Sequence, residues 1–327
     1  MAADDQRSLL EHRLVIVTGK GGTGKTTVSA ALALAAARAG LRTLVAEVGP
    51  DEQIPRLLNP RAPEAGYAGC AILPGLRAMR IDPFEALAEY LGLQLGVPAI
   101  VDAVVRNSAF RQLMTAAPGW RELITLGKIW HLAQLESEAP PGRLFDFIVV
   151  DAPATGHGVA FLDVPRVVVS AVRTGPLHAH AERVEQMLED SDHTLVLPVA
   201  LAEELPAREI AELTGRVRDE MGISIDRVIV NAVVGPPFPA EIWDLDEVLA
   251  RLDGNLALGA LPPPRVLTRC ARYLRSRHEL NRRFTAEIQH STGLPIVELP
   301  RIPDGIQGPD QISSLASALL ASPAFLE

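Results

Sequence analysis

The stretch Arg13-Leu-Val-Ile-Val-Thr-Gly-Lys-Gly-Gly-Thr-Gly-Lys-Thr-Thr27 decides the fold. Residues 13–18 are a short β-branched run, which reads as a buried strand. Residues 19–24 are glycine-rich and make a tight turn. Residues 25–39 are rich in alanine and leucine, read as a helix, and are stopped by Gly40. Residues 41–48 read as a second strand. A strand–loop–helix–strand order opens a βαβ unit and predicts a parallel sheet.

The turn itself, Gly19 to Thr26, matches G-x-x-x-x-G-K-[ST] after a strand and at the start of a helix. Glycines let the backbone curl until its N–H groups point inward and form an anion nest. The helix N-terminus adds partial positive charge. Lys25 is then placed for the β- and γ-phosphates of a nucleotide, and the Thr26 hydroxyl for Mg²⁺. A glycine turn without a ligand is the alternative, and the flanking strand and helix weigh against it.

Of the 31 basic side chains in 327 residues, 28 are arginine; the lysines are Lys20, Lys25 and Lys128. Where arginine has displaced lysine this widely, the remaining lysines mark places that need a compact, flexible ammonium. Lys20 and Lys25 share the glycine loop. Lys25 already serves its own nucleotide, so Lys20 is a candidate to reach the nucleotide of a partner chain; a solvated loop lysine is the alternative.

Further strands are expected at 76–81, 145–150, 194–199, 227–231 and 295–298, with helices near 207–221, 265–289 and 311–320. Residues 50–75 are rich in Pro and Gly and read mostly as loop. Residues 83–138 turn helical, with leucines such as Leu87, Leu91, Leu123 and Leu126 at helical spacing. Such a stripe lines a groove or, more commonly, belongs to the core. The expected architecture is α/β: one doubly wound, mostly parallel domain over 1–327 with a helical insert at 83–138.

A net charge of −9 argues against a general nucleic-acid binder. Cys70 and Cys270 are 200 positions apart, so there is neither a disulfide framework nor a C-x-x-C zinc half-site. Residues 1–12 carry no apolar signal core, and the apolar stretch at 91–101 is too short to span a bilayer. A cytoplasmic protein without direct membrane insertion is expected. His178 and His180 are expected at the surface rather than on a metal.

The strand at 145–150 ends in Asp151-Ala-Pro-Ala-Thr-Gly-His157. A carboxylate there stands beside the phosphate loop and suits Mg²⁺, directly or through water; capping a helix is its other common use. Followed by Phe161-Leu-Asp-Val-Pro165, this run resembles the D-T-A-P-T-G-H…F-L-x-x-P signature of the arsenite-pump and tail-anchored-protein targeting ATPase family. The K-G-G-T-G-K-T-T loop is similar to the deviant phosphate loop of the wider dimerising ATPase class. Residues 118–129, 197–209 and 228–231 resemble further family segments, and the likeness runs over about 13–320.

The resemblance implies an ATP- and Mg²⁺-dependent homodimer, or a dimer with a related subunit, whose nucleotide state gates a surface for a protein client. It implies Lys20, Lys25 and Asp151 as catalytic groups, with Lys20 crossing the interface. Gly21, Gly22, Thr23, Gly24, Lys25, Thr26 and Thr27 would wrap the phosphates, and Thr26 and Asp151 would act in the Mg²⁺ shell. Asn231 would read the adenine edge, with Pro300 and Arg301 on the adenine face.

The chain also departs from the family. Gly49 stands where the family's water-orienting Asp is expected, with Glu47, Asp51 and Glu52 as nearby carboxylates. Two distant cysteines make a poor arsenite site, and the zinc C-x-x-C of the targeting factor is missing. A nucleotide-dependent binding module, or a partner subunit with little hydrolysis of its own, is the competing reading. A partition-type ATPase on a nucleoid or membrane surface is disfavoured by the net charge and the Asp151–His157 run.

Overall fold

The computed structural model describes residues 8–95, 98–116, 119–138, 141–153, 158–238 and 264–326. After a short 3-10 helix at Leu9–Glu11, the elements in chain order are β1 (Leu14–Thr18), α1 (Lys25–Arg38), β2 (Thr43–Val48), α2 (Ile54–Leu58), β3 (Cys70–Leu73) and β4 (Leu76–Ile81). Four helices follow: α3 (Pro83–Leu95), α4 (Pro98–Arg106), α5 (Ser108–Ala116) and α6 (Trp120–Gln134). Then come β5 (Glu136–Glu138), β6 (Pro141–Arg143), β7 (Phe147–Asp151), α7 (Gly158–Ala171), α8 (Pro176–Glu189) and β8 (Thr194–Leu201). The last described elements are α9 (Glu204–Gly215), β9 (Val228–Val233), α10 (Pro264–Thr292), β10 (Ile296–Pro300), α11 (Pro309–Ala321) and α12 (Pro323–Leu326).

Eight strands form one sheet in the order β10-β9-β8-β1-β7-β2-β4-β3, and β5 and β6 make a separate antiparallel ribbon. Within the large sheet every pairing is parallel except β3 with β4. The expected doubly wound, mostly parallel α/β fold is therefore the fold observed. β1 lies centrally, with β8 on one side and β7 on the other, so the glycine loop leaves the sheet at its middle.

Alternation along the strands builds two cores. Val15 and Val17 of β1, Val45 of β2 and Val149 of β7 face α1, α2 and α11. Leu14, Ile16, Ala46, Ile148 and Val150 face the other layer, which includes α3, α6, α7, α8 and α9. Period-two alternation requires this division, and parallel strands buried on both faces read as unbroken apolar runs. Each such Val, Leu or Ile contributes about 1.5–3 kcal/mol by leaving water. Helix α1 is buried almost all round between the sheet and α11, and its alanines, with Val28 and Leu32, fill that layer.

Several features differ from the sequence reading. α2 and β3 interrupt the stretch expected as loop; at five and four residues they are too short to show a period. Neither α7 nor α8 was anticipated; Pro165 lies inside α7, and α8 starts at Pro176. His180 is buried, not at the surface: its ring packs against Tyr90 with centroids 4.8 Å apart. Gly127 of α6 makes room for it, because a Cβ there would collide with the imidazole. Burial, and then the nearby charge of Arg183, lower the His180 pKa. His178 is half-buried.

Within the helical layer Leu87, Leu123, Leu126 and Ile129 belong to the core. Lys128 has a structural part there. Its Nζ donates to Glu89 Oε2 at 2.6 Å and lies 4.8 Å from the centre of the Tyr67 ring, while Tyr67 donates to the same carboxylate oxygen. The pair joins α6 to α3. Among the described residues no helix is long and apolar enough to cross a membrane.

Candidate functional site

Strand β1 delivers the chain into the loop and α1 takes it away, so the positions of the loop residues follow from two rigid elements. Gly19 and Gly24 have φ of 144° and 87°, in the region that favours glycine. Both are also closely approached: a Cβ at Gly19 would collide with the Val199 carbonyl, and one at Gly24 with the side-chain amide of Asn231. Thr23 Oγ1 and Lys25 Nζ both donate to the Lys20 carbonyl, at 2.9 and 3.0 Å, and so close the loop upon itself.

Lys25 is 5% exposed. Burial lowers its pKa, and the Asp151 charge opposes that shift. Asp151, at the end of β7, accepts from Thr26 Oγ1 at 2.7 Å and from Ser29 Oγ at 3.1 Å. Burial raises its pKa, against these two hydrogen bonds and the Lys25 charge. The expected grouping of Lys25, Thr26 and Asp151 is therefore met in space. Ser29 was missed by sequence reasoning. Its signal was the three-residue spacing from Thr26, which puts both hydroxyls on one face of α1.

The three carboxylates at the end of β2 and just after it are in different surroundings. Asp51 is exposed, and Glu52 binds the backbone N–H groups of Ala65 and Gly66. Glu47 is 4% exposed and stands in register opposite Asp151 across the β2–β7 pairing. Its Oε1 accepts from the backbone N–H groups of Gln53 and Ile54 at 2.8 and 3.1 Å. Its Oε2 is buried without a hydrogen-bond partner. Burial pushes the Glu47 pKa up to about 7; the two backbone N–H groups oppose the shift, while the Asp151 and Glu52 charges add to it. Gly49 has open space where a side chain would be.

Lys20 turns away from Lys25 and pairs with Glu209 of α9. Glu209 had no role in the sequence reading. Both groups line a cavity of about 290 Å³ between the loop and α9. On the other side of the loop, Thr27, Asn231, Pro300 and Arg301 line a second cavity of about 250 Å³, together with Ile302 and Ile306. Asn231 Nδ2 donates to the Thr23 carbonyl at 3.0 Å, which ties β9 to the loop. Thr155, Gly156 and His157 of the signature run lie outside the described residues.

A family model of anion-transporting ATPases matches residues 12–175, half of the chain. The chain is 37% identical over 225 residues to ATPase BagA of Mycobacterium tuberculosis, which covers 67% of this chain and 64% of that protein. It is 27% identical over 263 residues to an arsenical pump-driving ATPase of Acidiphilium multivorum, covering 73% of this chain and 44% of that one. A protein of the same description from Escherichia coli is 26% identical over 262 residues. The chain thus spans under two thirds of the length of these relatives. The matched region holds the glycine loop, Glu47 and Asp151, and on this ground the chain belongs to the anion-transporting ATPase family.

Proposed function

We propose that the protein is a magnesium-dependent ATPase that works as a dimer and whose nucleotide state gates a surface for a protein client. The carrying observation is the convergence of Lys25, Thr26 and Asp151 at the end of β1 and β7, in a chain of an ATPase family. Lys25 leaves the Lys20 carbonyl and donates to the β- and γ-phosphates. The cavity beside Asn231, Pro300 and Arg301 is of a size and place for the adenine.

The donor set suits Mg²⁺. Thr26 and Asp151 supply hard oxygens, and the buried Glu47 Oε2 still lacks a partner beside them. Among the described residues no larger cluster of His, Cys, Asp and Glu is gathered for a metal, in keeping with an ion held largely by water and phosphate. When bound, the ion would neutralise charge developing on the γ-phosphate. Glu47 is the carboxylate we assign to water placement: two backbone N–H groups fix Oε1 and leave Oε2 to accept from the attacking water.

Lys20 is the proposed cross-subunit lysine, held by Glu209 within one chain and released to the partner's nucleotide on closure. In sedimentation with ATP, the wild type is expected to dimerise and Lys20→Ala to stay monomeric while still binding nucleotide. ATP-dependent dimers of Lys20→Ala would remove Lys20 from the interface. A second reading, nucleotide binding with little hydrolysis, is favoured only by Gly49, and measured turnover separates the two.

A further inference from the structure

The largest of the cavities described lies at the opposite pole of the sheet from the glycine loop. It encloses about 440 Å³ at the N-terminal starts of β1 and β8, lined by Leu14 and Thr194. Five strand residues at about 3.3 Å each separate it from the loop. Three arginines from distant parts of the chain meet on its wall: Arg13 before β1, Arg143 at the end of β6 and Arg183 on α8.

The most buried of these guanidinium groups, that of Arg13, is poorly compensated. Nε and Nη2 of Arg13 are buried without hydrogen-bond partners. Burial, and then the adjacent Arg143, lower the Arg13 pKa, against weaker pulls from Asp146 and Glu136. Asp146 is already engaged by Arg42 through two guanidinium hydrogen bonds of 2.8 and 2.7 Å and a backbone one of 2.9 Å. Glu136 stands opposite Arg143 in the β5–β6 ribbon, yet no ion pair between them forms. Asp190, the carboxylate on the cavity wall, binds His193 at 2.8 Å. Arg183 lies over the Trp130 ring at 5.7 Å. Bringing like charges together while desolvating one of them costs free energy, and an anion seated among them recovers it.

We propose that this cavity is a second anion site, which binds a small metabolite bearing two or more phosphate groups. Forked guanidinium groups hold phosphate oxygens in pairs, and three of them suit more than one phosphate. A concave space of this volume is in the range of small-molecule sites, about 300–1,000 Å³, and favours a compact ligand over a macromolecular surface.

Inorganic pyrophosphate is the probe, titrated into full-length Lys25→Ala protein so that the glycine loop does not compete. A saturable change in fluorescence is expected, absent in the additional Trp130→Phe variant although the heat of binding persists in calorimetry. Arg143→Gln with Arg183→Gln, both exposed positions, is expected to weaken binding by at least about tenfold at unchanged melting temperature. Pyrophosphate binding that ignores these arginines would overturn the proposal. So would saturation by acidic peptide or by phosphoinositide vesicles with none by pyrophosphate.

Discussion

The two ends of the central strand treat charge in opposite ways. Where β1 ends, buried Lys25 and Asp151 are met by partners of the same chain: a carbonyl, two hydroxyls and each other. Where β1 begins, Arg13 is left with unmet N–H groups and another arginine for a neighbour. At one pole Lys25 and Asp151 are satisfied within the chain and exchange their partners when a ligand arrives. The other carries a surplus of positive charge that a ligand removes. Exceptions at the first pole are Thr18 Oγ1, Glu209 Oε2 and Glu47 Oε2, all buried without a partner; of these Glu47 Oε2 belongs to the carboxylate in register with Asp151 and has most to gain from a ligand there.

That contrast can be broken most sharply at Glu47. Glu47→Gln is expected to lower the kcat of ATP hydrolysis by about 10²-fold while nucleotide affinity is kept. A loss confined to KM would make Glu47 a binding residue instead. Next in size, Gly24→Ala is expected to cost about 1–3 kcal/mol in denaturant unfolding, because it combines a positive φ with a collision against Asn231. Unchanged stability would mean that the Asn231–Thr23 link is loose. The smallest effect is expected at the other pole. Arg13→Gln removes a poorly compensated charge, so stability without added anion is expected to hold or rise by under about 1 kcal/mol. A clear loss in thermal unfolding would make Arg13 part of the framework and erase the difference between the poles.

The sequence was most readable where chemistry and periodicity coincide. An apolar β-branched run, glycines at fixed offsets and an alanine-rich helix specify β1, the loop and α1 without help from elsewhere. Asp151 was readable because it ends another buried run. Short elements were not: α2 and β3 lie among prolines and glycines, and α7 hides behind Pro165. Contacts made across the fold were least readable. Nothing local marks Glu209 as the partner of Lys20, or brings Arg13, Arg143 and Arg183 to one cavity. Even Lys128, conspicuous by its rarity, owed its explanation to Glu89 and Tyr67, which are far away in sequence.

The choice among Glu47, Asp51 and Glu52 shows the same limit. All three lie at or just beyond the end of one strand at short spacing, and the sequence does not separate them. Strand register does, since it sets Glu47 beside Asp151, while loop geometry commits Glu52 to the backbone of residues 65 and 66.

The most direct test is phosphate release from ATP by the purified protein with Mg²⁺, set against Lys25→Ala under the same conditions. Mg²⁺-dependent turnover by the wild type that Lys25→Ala abolishes is the predicted result. Equal phosphate release by the two proteins, or none by the wild type at saturating ATP, would contradict the account.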